Sequence, residues 1–322
     1  MDQTNARKLS VVADGGVASP AGIHAGGIHA GFRKDPQRFA PALVEVDEGA
    51  TAAGAFTTNK FCAAPVTVSR GHLGKGGSAP VRAVCINSGN ANAATGEGGL
   101  ECAEATCRLV SETIGCDPKQ VLVASTGVIG QLLDIAPFET GVPALHDKIC
   151  AQATDEGLRL SGGHDAARAI MTTDTHPKEY AVSYEGAGAL AGHAITVGGM
   201  CKGSGMIMPN MATMIAIIST DAPVTEAALH EVLLGVVKKT FNKVTVDSDT
   251  STNDTCIAIA TGKAAPDVPA IEPGTPEADE LAYAVNAVCQ HLAREIAADG
   301  EGASKLVTVT VAGAATDEDA DT

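Results

Sequence analysis

The chain has 322 residues, of which 45% are apolar and 3% aromatic, and it contains no Trp. Its 38 acidic and 22 basic residues give a formal charge of −16. This acidic balance argues against binding to nucleic acid or to an anionic membrane surface, because both need a basic footprint. A chain of this length can bury a large core and has room for about two domains.

Three stretches in the first half have the apolar character of buried strands: the Gly-rich region 17–60 with Ala42–Val46 inside it, then Val81–Asn87, and then Val121–Ala124. The last of these is expected to end at Ser125-Thr126-Gly127, whose small polar residues are typical of a turn. Helical spacing of apolar residues predicts helices over roughly 100–114 and 142–158.

The second half continues the mixture of strands and helices. Met214–Ile218 is an apolar run of strand length, and a helix is predicted from Leu229 to Phe241. A longer amphipathic helix is predicted over roughly 276–298, and the alternating Val and Thr of Lys305–Val311 predict a half-buried strand. Because the order has no strict β-α-β rhythm, it favours an α+β sandwich of sheets covered by helices.

Cysteine and histidine usage indicates neither disulfides nor a metal site. The nine cysteines include no Cys-x-x-Cys pair and lie mostly in apolar stretches, so we expect reduced, buried thiols. The histidines do not cluster at ligand spacing, and the closest pair, His24 and His29, is expected to serve a Gly-rich turn. The first residues lack the apolar core of a secretory signal, and no apolar run of about 18 residues occurs, so we expect a cytoplasmic protein.

The segment 198–221 carries the clearest chemical signal. Neither a Gly-x-x-x-x-Gly-Lys phosphate loop nor a Gly-x-Ser-x-Gly elbow is present anywhere in the sequence. Instead, a Gly-rich turn leads through Pro209-Asn210 to Ala212-Thr213 and then to an apolar strand. A Thr at the entrance of a strand beneath a tight loop is a candidate nucleophile, and the alternative is an ordinary β-branched strand residue.

The residues from Lys202 through Thr213 resemble the self-cleavage signature of the ornithine acetyltransferase (glutamate N-acetyltransferase) family of arginine biosynthesis. Further blocks that resemble this family are Phe56–Asn59, Ala63–Val66, Asn87–Gly96, Ser125–Gly130, Ile170–Thr175 and Asp299–Lys305. Together the blocks span about residues 17–317, nearly the whole chain. The resemblance implies a layered αββα sandwich of mixed sheets covered by helices, an architecture shared with self-processing aminopeptidases.

The resemblance also implies that the precursor cuts itself between Ala212 and Thr213, giving an α chain of residues 1–212 and a β chain of residues 213–322. Cleavage frees the α-amine of Thr213, whose reference pKa of about 7.7–8.0 lets it accept the hydroxyl proton. The acetyl group then moves to Thr213 Oγ and on to an acceptor amine, with no cofactor. The Thr126 hydroxyl and the Gly127 N–H match the family's oxyanion donors.

The implied substrates, N2-acetyl-L-ornithine, L-glutamate and L-ornithine, are small molecules with separated charges. By the resemblance, Lys202 is expected to meet a carboxylate and Glu301 an ammonium. Thr172, or its neighbour Thr173, is expected to form a hydrogen bond with the acetylated amino acid. Without the resemblance, Lys202 and Glu301 would be interpreted as solvated surface charges.

Members of this family associate as cleaved halves, two of each, and some also use acetyl-CoA as a co-substrate. They continue beyond the C-terminus of this chain with an Asp-Pro-Asn-Trp-Gly-Arg-like block, so we expect part of the pocket and one or more core strands to be missing here. Two alternatives stay open at this stage. One is a self-processing aminopeptidase with water as the acyl acceptor, and the other is an inactive family member that binds a partner.

Overall fold

The computed structural model describes residues 8–208, 214–316 and 319–320. The strands in these ranges are β1 (Ser10–Val11), β2 (Ile23–Gly27), β3 (Ala42–Val46), β4 (Thr51–Phe56), β5 (Ser78–Pro80), β6 (Ala83–Asn90), β7 (Val121–Val128), β8 (Lys178–Glu185), β9 (Ala194–Lys202), β10 (Ile215–Thr220) and β11 (Thr255–Ala260). The α-helices are α1 (Ala64–Leu73), α2 (Gly96–Ile114), α3 (Ala136–Gln152), α4 (Glu156–Ala169), α5 (Glu226–Lys239) and α6 (Pro276–Ala298).

These strands form two mixed sheets. The larger sheet has the order β1-β8-β9-β10-β11-β4-β5, and the smaller has the order β2-β3-β6-β7. Two neighbouring pairs run parallel, β10 with β11 and β6 with β7, and the other pairs are antiparallel. The parallel pair in each sheet is the pair that carries the candidate site described below.

The sheets pack face to face, and helices cover their outer faces. Ile217 of the larger sheet belongs to the buried cluster between the sheets, together with Val44 and Ile86 of the smaller one. Ala216 and Ile218 point the opposite way and pack with residues of α5 and α6. This alternation follows from the period of two in a strand, and burial on both faces explains the continuous apolar run of β10.

On the outer face of the smaller sheet, Cys85 and Val123 pack with Val110 of α2 and Leu145 of α3. The four layers are therefore helix, sheet, sheet and helix, and the predicted α+β αββα sandwich is confirmed. No helix in the described ranges is both long enough and apolar enough to cross a membrane.

Local signals place two helices correctly. Thr225 caps α5 by accepting the N–H of Ala228, and Thr275 caps α6 by accepting the N–H of Ala278. In α6, Pro276 occupies the first turn, where a missing N–H costs nothing. The observed bounds of α6 match the predicted 276–298.

Three predicted elements are wrong. The helix over 142–158 is two helices, α3 and α4, because Asp155 starts a new helix by accepting the N–H of Leu158. β7 does not end at Ala124 but continues through Val128, since its polar end still pairs with β6. Lys305–Val311 is not a strand: it has no ladder partner among the described residues, and Val309 is 81% exposed.

Candidate active site

The predicted scission pair, Ala212 and Thr213, lies outside the described residues. Met214 follows directly, and both its N–H and its carbonyl are hydrogen-bonded. Its N–H donates to Asp254 Oδ1 at 2.8 Å, and its carbonyl accepts the N–H of Thr255 at 3.1 Å. The entrance of β10 is therefore fixed against the start of β11.

Asp254 is fully buried beside this entrance, with 0% exposure. Its second carboxylate oxygen, Oδ2, has no hydrogen-bond partner among the described residues. Burial raises the pKa of Asp254 well above its ordinary value, although the N–H of Met214 and the charge of Lys202 act in the opposite direction. Sequence reasoning missed this residue, and its only signal was the polar run 251–254 directly before an apolar strand.

The predicted oxyanion donors lie at the irregular end of the β6–β7 pair. Thr126 is buried, at 3% exposure, and pairs with both Ser88 and Asn90 across a bulge. Gly127 has a φ of +136°, and a Cβ there would lie 2.6 Å from both Asn90 N and Gly89 O. Only glycine fits this close main-chain approach.

Asn253 connects this strand end with the entrance of β10. Its side-chain nitrogen donates to the carbonyls of Ser125 at 2.8 Å and Ala91 at 2.6 Å. Ser125 in turn donates its hydroxyl to Asn87 Oδ1 at 2.6 Å. Since Asn253 precedes Asp254, the structure brings the Thr126–Gly127 end of β7 close to the strand that follows the predicted nucleophile.

Lys202 ends β9 and pairs in register with Ile215, the first residue of β10. It is 2% exposed, so its interpretation as a solvated surface charge is wrong. Burial lowers the pKa of Lys202, while the nearby Asp174 carboxylate opposes this shift. The distance from Lys202 Nζ to Asp174 Oδ2 is 3.9 Å.

Thr172 and Glu301 approach the same region from elsewhere in the chain. Thr172 is half-buried; its N–H donates to Asp174 Oδ2 at 3.0 Å, and its carbonyl accepts the guanidinium of Arg38 at 2.9 Å. Glu301 is exposed, and its N–H donates to the carbonyl of Ser204 at 2.7 Å. The Glu301 carboxyl group packs against Gly205: a Cβ at residue 205 would lie only 2.6 Å from the carboxyl carbon of Glu301.

Beneath these residues lies a buried network of Asp174, Lys178 and Asp299. Lys178 Nζ donates to Asp174 Oδ1 at 2.8 Å and to Asp299 Oδ2 at 2.5 Å. Sequence reasoning assigned no role to any of the three, because a charged residue gives no sign of burial before its partners are known. Thr173, the alternative to Thr172, is exposed.

The arrangement places a buried ammonium, a carboxylate and threonine groups around one short segment, residues 202–205, next to the entrance of β10. It can hold a small molecule with separated charges. In the described part of the chain, no group of three or more His, Cys, Asp and Glu side chains has the arrangement of a metal site.

Comparison with known proteins identifies relatives over nearly the whole chain. The model of the ArgJ family matches residues 24–322. The arginine biosynthesis bifunctional protein ArgJ of Symbiobacterium thermophilum is 46% identical over 307 residues, which cover 95% of this chain and 72% of that protein. The ArgJ protein of Thermosynechococcus vestitus is 46% identical over 306 residues, covering 94% of this chain and 68% of that protein.

Two solved structures are also similar. The crystal structure of ArgJ from Bacillus halodurans has a TM-score of 0.54 and 32% identity, with 65% of this chain covering 100% of that one. The ornithine acetyltransferase of Mycobacterium tuberculosis, solved in complex with ornithine, has a TM-score of 0.53 and 35% identity, with 63% of this chain covering 98% of that one.

Proposed function

Because this chain belongs to the ArgJ family, we propose that it transfers the acetyl group of N2-acetyl-L-ornithine to L-glutamate in arginine biosynthesis. The observation that carries the proposal is the convergence of Lys202, Thr172 and Glu301 on residues 202–205, beside the entrance of β10. The ornithine bound to the similar acetyltransferase supports a substrate of this class.

The reaction begins with self-cleavage. Thr213 Oγ attacks the carbonyl carbon of Ala212, the amide nitrogen of Thr213 leaves with the hydroxyl proton, and water hydrolyses the resulting ester. The products are the chains 1–212 and 213–322, the second of which begins with a free amine.

Acetyl transfer then proceeds through Thr213. The neutral α-amine accepts the proton of Oγ as Oγ attacks the acetyl carbonyl, and ornithine leaves with that proton. The amine of glutamate attacks the acetyl-Thr213 ester, and its proton returns to Oγ. The Thr126 hydroxyl and Gly127 N–H donate to the oxyanion of both tetrahedral intermediates, and loss of one such donor typically lowers the rate by about 10²–10³.

Charge separation in the site orients the substrate. Lys202 binds the carboxylate, and its burial strengthens this attraction because the surroundings screen charge less than water does. Glu301 binds the side-chain ammonium that ornithine carries and glutamate lacks. Thr172 forms a hydrogen bond with the acetylamino group. No cofactor takes part.

Acetyl-CoA as a second acetyl donor would give N-acetylglutamate by the same intermediate. We further propose that the cleaved halves assemble as two of each and work in the cytoplasm.

The test starts with the mass spectrum of freshly purified protein. Fragments of 1–212 and 213–322 are expected for the unmodified chain and for Thr308→Ala, a matched change at an exposed threonine, but not for Thr213→Ala. Release of ornithine from N-acetylornithine is then measured with glutamate and with water alone. In a separate reaction without N-acetylornithine, release of CoA is measured with acetyl-CoA as the donor to glutamate.

Glutamate-dependent release by cleaved protein supports the proposal. Release by protein whose 212–213 bond is intact would refute the role of the freed amine. Release that does not depend on glutamate would identify a hydrolase instead. Cleaved, folded protein that acts on neither donor would refute the proposed substrates.

A further inference from the structure

We propose that the buried Asp174–Lys178–Asp299 network positions the substrate-binding residues and thereby sets substrate affinity. The proposal rests on the function proposed above, since it concerns the same site. None of the three residues is expected to touch the substrate, so they are positioning residues rather than catalytic ones.

The network joins three elements of the fold. Asp174 lies in the connection between α4 and β8, Lys178 is the first residue of β8, and Asp299 caps the end of α6. The side chains of Lys178 and Asp174 are 0% exposed and that of Asp299 is 4% exposed. The ammonium of Lys178 donates to both carboxylates, so it fixes the distance between them.

Asp174 extends the network to two of the predicted binding residues. Its Oδ2 accepts the N–H of Thr172 at 3.0 Å, and its Oδ1 accepts the N–H of Gly203 at 2.7 Å. Gly203 follows Lys202, whose Nζ lies 3.9 Å from Asp174 Oδ2, too far for a hydrogen bond. The Asp174 carboxylate therefore holds the main chain next to Lys202 by a hydrogen bond. It attracts the Lys202 ammonium electrostatically without a hydrogen bond to it.

Asp299 extends the network to the third binding residue. Its carboxylate accepts the N–H of Thr175 at 3.0 Å, and its main-chain carbonyl accepts the hydroxyl of Ser204 at 2.6 Å. The carbonyl of Ser204 in turn accepts the N–H of Glu301 at 2.7 Å. The two ends of the network thus hold the segment 202–205 between them.

Burying three charges costs solvation free energy, and apolar side chains of similar volume often stabilise a protein as well or better. An apolar side chain, however, cannot accept main-chain N–H groups from two separate segments, as the Asp174 carboxylate does. The three groups are held in their charged forms. Burial alone would raise the pKa of Asp174 and of Asp299, but Lys202 and Lys178 lower the first and the hydrogen bond from Lys178 lowers the second. Burial alone would lower the pKa of Lys178, but the two carboxylates outweigh it and raise that pKa.

The first experiment compares Asp174→Asn with Lys178→Met in acetyl transfer and in thermal unfolding. An amide has one acceptor oxygen where the carboxylate has two, so Asp174→Asn releases either the Thr172 or the Gly203 N–H and removes the charge facing Lys202. We expect KM for N-acetylornithine to rise about tenfold while kcat changes less than about threefold. Lys178→Met keeps both acceptor oxygens, so it should lower the melting temperature more and KM less.

The double variant Asp174→Asn/Lys178→Met separates positioning from stability. It removes one charge of each sign, so its melting temperature should recover above that of Lys178→Met while KM stays raised. If KM follows the melting temperature across all three variants, or if Asp174→Asn leaves KM within about twofold of the unmodified protein, the network is structural only and the proposal is wrong.

A second measurement does not depend on turnover. Amide hydrogen exchange followed by mass spectrometry should show faster exchange in peptides containing Thr172 or Gly203 in Asp174→Asn, but not in Lys178→Met. Unchanged exchange would overturn the positioning role even if the enzyme is active. Conversely, if Asp174→Asn exchanges faster but the unmodified chain transfers no acetyl group, the proposed function is contradicted and the geometry of the network stays supported. If Asp174→Asn does not fold, the double variant serves for both measurements.

Discussion

Gly127→Ala inserts a methyl group where the structure has no room for it. A Cβ at residue 127 would lie 2.6 Å from Asn90 N and 2.6 Å from Gly89 O. Both are main-chain atoms of the neighbouring strand, so no side-chain rotation relieves the overlap. The φ of +136° is also a region that residues other than glycine enter only under strain.

The two effects give the magnitude. Backbone strain of this kind costs about 1–3 kcal/mol, and overpacking of a well-packed interior costs about as much again. We therefore expect the free energy of unfolding to fall by about 4 kcal/mol. Because the β6–β7 pair must separate to admit the methyl group, the Gly127 N–H moves as well, and we expect acetyl transfer to slow by about 10²–10³.

The assay is urea unfolding followed by far-UV circular dichroism, since the chain has no Trp for fluorescence. Gly130→Ala is the matched control: its φ is +84°, but no heavy atom lies within 4 Å of the added Cβ. It should lose only the strain energy, about 1–2 kcal/mol. Equal losses for the two variants would refute the argument that main-chain crowding, rather than φ alone, requires Gly127.

Three further changes test other parts of the structure by thermal unfolding. Asp254→Asn should raise the melting temperature relative to the unmodified chain, more at about pH 8 than at about pH 4. Because the pKa of the buried Asp254 carboxyl is raised, its contribution to the free energy of unfolding is fully present below about pH 3.9 and is lost as the pH rises above that value. An equal change in melting temperature at both pH values would contradict this reasoning. Leu281→Ala, at a fully buried position in α6, should cost about 2–5 kcal/mol, whereas Leu234→Ala, at 46% exposure, should cost less than about 1 kcal/mol; similar losses would be inconsistent with the assigned core. Asn253→Ala leaves two buried carbonyls without their donor and should cost about 2–4 kcal/mol, and a loss under about 1 kcal/mol would mean that water replaces the amide.

Several elements could be predicted because their signals are local. The α6 helix has a capping Thr275, a proline in its first turn and an apolar stripe, all within its own residues. Ala42–Val46 is apolar at every position except Glu45 and coincides with β3. The layered αββα architecture could be predicted from the mixture of such strands and helices and from the family resemblance.

The errors occurred where pairing decides the structure. Ser125-Thr126-Gly127 has the composition of a turn, but its pairing with β6 keeps it in the strand. Lys305–Val311 has the alternation of a strand, but among the described residues no neighbouring strand pairs with it. The hydrophobic periodicity and the composition of a segment indicate its own conformational preference. A β-strand also needs a second strand to pair with, and the segment itself carries no information about that partner.

The same division applies to the candidate site. The family resemblance singled out Lys202, Thr126 and Gly127 as candidates, whereas by themselves these residues have the character of a surface charge and a strand-ending turn. Only the tertiary structure revealed that Lys178 joins Asp174 to Asp299, a residue 121 positions further along the chain, and that Asp254 is buried beside Met214. The physical reason is that burial and charge pairing are properties of the folded neighbourhood: a lysine or aspartate has the same chemistry in the sequence whether it will be solvated or enclosed, and only the packing of distant segments decides which.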